Sequence, residues 1–90
     1  MIVLNIFYSK KFVKELQKLP EHIVKLAIKK EAIFKKNPLH PFLRLHELHE
    51  KFEGIWSISL THGHRIIFER MNNGDIDFIS IGKHDIYKYL

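Results

Sequence analysis

The tightest constraint on this chain is the stretch from Ile55 to Tyr87, where three apolar runs are separated by two turn signals. It reads IWSISL, the loop THGH, RIIFER, the turn MNNGD, and IDFISIGKHDIY. β-Branched and aromatic runs divided by short polar loops make neighbouring antiparallel strands. Asn73-Gly74 predicts a tight hairpin of type I′, which needs positive φ at both central residues. Strand alternation then sorts side chains by face. Trp56, Ile58 and Leu60 point one way, Ser57 and Ser59 the other, and Arg65 goes with Ile67 and Glu69 against Ile66 and Phe68. The expected sheet has an apolar face under helices and an open, partly polar face lined by Ser57, Ser59 and Arg65. His64 and Arg65 open one strand, and Gly82-Lys83-His84-Asp85 follows the next. A meander can bring those two places together, and imidazoles beside a guanidinium suit work on a phosphate.

The remainder of the chain supplies the cover for the apolar face. Residues 2–8, IVLNIFY, read as a strand buried on both faces with a neighbour on either side. Ser9 can cap a helix through its hydroxyl. Phe12, Val13, Leu16 and Leu19 follow at helical spacing. Pro20 ends that helix and suits the first turn of another, carried by Ile23, Leu26, Ala27, Ile33 and Phe34 as far as Asn37-Pro38. Phe42 to Leu48 is a short strand or an irregular arm, and the segment up to Gly54 is a loop. The order β-α-α-β-β-β is α+β. It implies a helical hairpin packed on one face of a small, mainly antiparallel sheet, in one domain spanning residues 1–90.

Net charge narrows the partners. At +5, before any of seven histidines is protonated, the chain favours polyanions. Lys10, Lys11, Lys14 and Lys18 on the first helix, with Lys25, Lys29, Lys30, Lys35 and Lys36 on the second, are either a contact surface for nucleic acid backbone or a solvated helix face. The chain has no cysteine, which rules out disulfides, thiolate metal sites and cysteine nucleophiles, and which fits a reducing cytoplasm. No run approaches the roughly 18 apolar residues of a membrane span, and no signal peptide is recognisable, so a cytosolic protein is expected. Gly-rich phosphate loops and GxSxG are missing, and Asp75 and Asp77 lack the further carboxylates of a two-metal nuclease. His46-x-x-His49 and His62-x-His64 imitate ligand spacing but fix no third ligand, so no metal is expected. Structural alternatives stand beside each candidate. Arg65 can pair with Glu69, His84 can bond Asp85 at a strand end, and Tyr87 can anchor the tail.

The pattern LHEL…EGIWSISLT…HRIIFE…IDFISIGKHDIY resembles the RelE/ParE superfamily of bacterial type II toxins, nearest its RelE-like and YafQ-like mRNA interferases. The resemblance covers nearly the whole chain and implies the same β-α-α-β-β-β fold. It implies ribosome-dependent cleavage of mRNA in which the RNA's own 2′-oxygen attacks its phosphate, without metal or cofactor. Carried onto this sequence, Arg65 would hold the scissile phosphate, His84 would protonate the leaving 5′-oxygen, and His46 would activate the 2′-hydroxyl. Tyr87 would stack on a base or orient the phosphate, and His64, beside Arg65, would add charge. RNA contacts are expected from Lys83, Ser57, Ser59, Lys10 and Lys14. Ser57, Ser59 and Ser80 stand where relatives carry basic residues. The implied partners are an acidic antitoxin, the ribosome with its mRNA, and operator DNA bound by the toxin–antitoxin complex. A gyrase inhibitor of the ParE type, or a non-catalytic relic that binds only antitoxin and operator, are the alternatives.

Overall fold

The structure, a computed structural model, describes residues 2–48 and 54–83. Strand β1 (Ile6–Tyr8) leads into helices α1 (Lys10–Gln17) and α2 (Glu21–Lys36). A 3-10 turn (Pro41–Leu43) follows, and then strands β2 (His46–Glu47), β3 (Ile55–Ser59), β4 (His64–Arg70) and β5 (Ile76–Lys83). The sheet order is β1-β5-β4-β3-β2. All neighbours are antiparallel except β1 and β5, which run parallel. The chain is thus α+β with a helical hairpin on a mainly antiparallel sheet, as expected. The arm after the helices contributes the short outer strand β2.

Local chemistry explains the helices. The Ser9 hydroxyl accepts from the Phe12 N–H at 3.0 Å, satisfying one of the donors a helix start leaves unpaired. The same hydroxyl donates to the Ile79 carbonyl at 2.7 Å, which ties the start of α1 to β5. Pro20 occupies the N-cap of α2, where its missing N–H costs nothing. Phe12, Ile23, Ala27 and Phe34 from the helices meet Ile58, Leu60, Ile66, Phe68, Ile76, Phe78 and Ile81 from the sheet in one core. Four phenylalanines form its centre, with Phe34 and Phe68 centroids 5.0 Å apart and Phe12 and Phe78 centroids 5.4 Å apart. Trp56 packs against this cluster, on the face that alternation assigned it.

Four features depart from the sequence reading. First, among the described residues β1 is an edge strand of three residues with β5 as its one neighbour in the sheet, and Phe7 is 55% exposed. An apolar run specifies strand propensity, whereas the number of neighbours is set by where the sheet ends. Second, the β4–β5 turn is not type I′. Gly74 has φ of 95°, while Asn73 keeps negative φ because its side chain accepts from the Asp75 N–H at 2.9 Å. The Gly74 N–H closes the turn on the Met71 carbonyl at 3.1 Å.

Third, Lys30 is not a solvated lysine. It is 6% exposed, and its ammonium donates to the Phe42 carbonyl at 2.7 Å and the Ser59 carbonyl at 3.0 Å. Burial pushes its pKa down, and the nearby Arg44 and Lys29 charges push the same way. Fourth, β5 carries a bulge. Ile67 pairs with Ser80 and Phe68 with Phe78, so Ile79 is an extra residue in the ladder. Ser80 is fully buried there, donating to the Glu15 carboxylate at 2.7 Å and accepting from Lys11 at 3.0 Å. It is therefore occupied in joining α1 to the sheet.

Candidate functional site

The register places four of the singled-out residues on one face. His46 on β2 stands directly across from Ser57 on β3, and Ser59 stands across from Arg65 on β4. Directly opposed residues of antiparallel strands share a face with Cβ atoms about 4.5–5.5 Å apart. Ser57 and Ser59 lie two apart on one strand, which completes the patch. It faces away from the helices, because the alternate residues Trp56, Ile58, Ile66 and Phe68 join the core.

A cavity of about 250 Å³ opens over this patch, lined by Arg44, His46, Ser57, Ser59, His62 and Arg65. Ser57 is buried and forms part of the floor. Ser59 spends its hydroxyl on the Thr61 carbonyl at 3.0 Å. Neither serine adds charge, so the positive potential comes from Arg44 and Arg65, and from the histidines when protonated. No carboxylate is in the lining, and no ion pair joins Arg65 to Glu69 among the described residues. The arrangement can grip an anion from two guanidinium groups, which favour bidentate contacts with phosphate oxygens. The His46 imidazole, at the same patch, is a group of the kind that can accept or donate a proton.

Two of these residues were not anticipated. Arg44 caps the 3-10 turn with φ of 48° and ψ of 51°, a left-handed conformation that nothing in PFLRLHEL announces. His62 entered the sequence reading only through its spacing from His64. It sits in the β3–β4 loop, which is drawn tight by the Thr61 hydroxyl accepting from the N–H groups of Gly63 and His64, both at 3.1 Å. The cue available in the sequence was THGH itself, a threonine followed by glycine at turn spacing.

Other expected site residues fall elsewhere. His64 shares strand parity with Ile66, opposite to Arg65, and its Nδ1 lies 3.1 Å from the Thr61 hydroxyl. Lys83 is exposed and pairs across from His64, one step beyond the Gly82–Arg65 pair. Lys10 and Lys14 are exposed on α1, whose sheet contacts are with β5, and they do not line the cavity. His84 and Tyr87 lie outside the described residues. Among the described residues, no group of three or more histidines and carboxylates is placed to hold a metal ion. Nor is any helix among them long and apolar enough to cross a membrane.

No protein-family model and no curated protein matches the chain. Solved structures do. The chain is similar to a YoeB/ParE toxin from Agrobacterium tumefaciens, with a TM-score of 0.76 at 15% identity over 90% of this chain and 99% of that one. It is similar to the toxin–antitoxin complex RelBE2 from Mycobacterium tuberculosis, with a TM-score of 0.75 at 13% identity over 92% of this chain and 100% of that one. YafQ from E. coli aligns with a TM-score of 0.68 at 17% identity over 92% of this chain and 96% of that one. With so few identical residues and nearly complete coverage on both sides, what these proteins share with the chain is backbone architecture: the chain has the RelE-like fold of the RelE/ParE toxins.

Proposed function

We propose that the chain is the toxin of a type II toxin–antitoxin system and cleaves mRNA on the ribosome. The observation that carries this reading is the convergence of His46 and Arg65, with Arg44 and His62, on one cavity that no described carboxylate lines, over the sheet face opposite the core. Such a cavity suits a phosphodiester, and the RelE-like fold sets the prior for which one.

In the reaction, His46 takes the proton from the ribose 2′-hydroxyl as that oxygen attacks the adjacent phosphorus. Arg65 and Arg44 bind the non-bridging oxygens and stabilise the charge that builds on them in the transition state. The bond to the 5′-oxygen breaks, leaving a 2′,3′-cyclic phosphate on one fragment and a 5′-hydroxyl on the other. His84 supplies the proton to that leaving oxygen, and Tyr87 orients the substrate. A basic chain meets ribosomal RNA through contacts that weaken with salt. An acidic antitoxin, folding on binding, would neutralise the cavity, and the resulting complex would act on operator DNA in the cytoplasm.

The experiment is primer extension on cellular transcripts after a short pulse of expression, beside the Arg65→Ala, His46→Ala and His84→Ala variants. Expected are cuts at defined codon positions that need translation and vanish in the variants. Growth arrest with intact transcripts would refute the nuclease reading and move the target to gyrase or another partner.

A further inference from the structure

The cavity at Arg65 has a neighbour. Arg44, Ser59 and His62 line it and also line a second cavity of about 430 Å³, which extends toward Lys30 and the 3-10 turn. No described carboxylate lines either one. The second cavity is edged by an aromatic that its surroundings leave 54% exposed, Phe42. The backbone that carries that ring is nevertheless held in place. The Phe42 N–H donates to His40 Nδ1 at 3.0 Å, and the Phe42 carbonyl accepts from Lys30 at 2.7 Å. The Lys30 ammonium lies 4.6 Å from the ring centroid over one face, and the His40 ring stands nearby at 6.1 Å, inclined by 64°. An aromatic on a fixed backbone, with a cation over one face, loses less conformational freedom when something stacks on it than one on a free loop.

Arg44, two residues on, is the one non-glycine residue with positive φ among those described. Backbone in that region is costly for an L-residue and persists only where its surroundings hold it. Here the turn delivers a guanidinium to the boundary shared by both cavities.

We propose that the two cavities form one track for single-stranded RNA. The second takes the nucleotide next to the scissile phosphate, with its base on the open face of Phe42, while the scissile phosphate sits at the boundary between the cavities on Arg65 and Arg44. The inference rests on the reading of the first cavity as an RNA-cleaving site. The strand must be single, because a base can lie flat on an aromatic ring only when unstacked from its neighbours. Sequence-tolerant affinity from stacking, with a cation beside each phosphate, is the economy of single-strand binders generally.

The test is an NMR titration of the labelled protein with a short single-stranded oligoribonucleotide, repeated with an oligonucleotide carrying one abasic position. Expected are amide shifts at Phe42, Arg44 and His62 together with Ser57 and Arg65. Phe42→Leu, which keeps apolar bulk, weakens binding about 5- to 150-fold, or about 1–3 kcal/mol at 1.4 kcal/mol per tenfold. Phe42→Trp retains binding, and the abasic oligonucleotide reproduces the loss. Arg44→Gly, which suits the positive φ, keeps the melting temperature but lowers the slope of log affinity against log salt by about 0.7, the loss of one single-strand phosphate contact. Arg44→Lys, with its charge kept, restores most of that slope. Shifts confined to Ser57 and Arg65, or unchanged affinity in Phe42→Leu, would overturn the track while leaving the first cavity's reading intact. No shift in either cavity would overturn both.

Discussion

Lys30→Met isolates what holds the cavity wall in place. Methionine matches the lysine stem in length and apolar character, so packing is nearly conserved and the ammonium alone is removed. Lys30 is 6% exposed, and its ammonium makes two hydrogen bonds to carbonyls, at 2.7 and 3.0 Å, and one cation–π contact at 4.6 Å. Charge-assisted hydrogen bonds contribute about 1.5–3 kcal/mol each, and the ring contact adds about 0.5–2. Against that stands the cost of burying the charge, which the variant no longer bears and which the lowered pKa reflects. A net loss of about 2–4 kcal/mol is expected, with the Phe42 and Ser59 carbonyls left without their donor. For a domain of this size that lowers Tm by about 10–25 °C. Urea unfolding should show a reduced midpoint at unchanged m, since the surface exposed on unfolding is the same.

The pH dependence gives a second readout. Because the folded-state pKa lies below the unfolded value, the unfolded chain binds this proton more tightly. Stability from Lys30 therefore rises with pH between the folded-state pKa and the ordinary lysine range, and the variant loses that slope. A stability loss under about 1 kcal/mol would refute the claim that this ammonium ties α2 to the 3-10 turn and the end of β3.

Three further expectations follow from single contacts. The Tyr8 hydroxyl donates to Glu31, and partial burial with that carboxylate raises its pKa from 10.0 to about 12. A raised folded-state value means stability present below pH 10.0 and lost as pH rises through about 12. Tyr8→Phe should flatten that decline and remove a phenolate that titrates at about 12 from an absorbance titration. Glu15 accepts from the Ser80 hydroxyl at 2.7 Å and the Ile81 N–H at 3.2 Å, so Glu15→Ala should cost about 1–3 kcal/mol in calorimetry, with Ser80→Ala milder. Gly74 holds φ of 95°, and a Cβ there would sit 3.3 Å from Leu4 Cγ. Gly74→Ala should lower stability by about 1–2 kcal/mol, mostly through backbone strain, because Leu4 is exposed and can move.

Much of the architecture was legible because periodicity and caps agree. The alternation in IWSISL and RIIFER separates core from open face without ambiguity, and Ser9 and Pro20 bracket α1. Register then follows: once the β3–β4 loop is short, Ser59 must oppose Arg65. What stayed hidden depends on tertiary context. Arg44 adopts left-handed backbone because the 3-10 turn ends under it, and no glycine or asparagine marks the place. Lys30 looks like its solvated neighbours until the Phe42 and Ser59 carbonyls arrive from elements 12 and 29 residues away. His64 was grouped with Arg65 by adjacency, yet adjacency in a strand means opposite faces.

The bulge on β5 has a consequence for how residues beyond it are assigned. Phe78 and Ile81 both join the core although three positions apart, because Ile79 breaks the two-residue period between them. Gly82 can therefore stand opposite Arg65 on the open face, where unbroken alternation from Phe78 would have turned it toward the helices. Ile79 works as a spatial frameshift. Removing one residue there would leave the sequence after it unaltered yet exchange inside for outside along the rest of the strand. A single-residue deletion would then unmake the face beside Arg65 without touching any residue that lines the cavity.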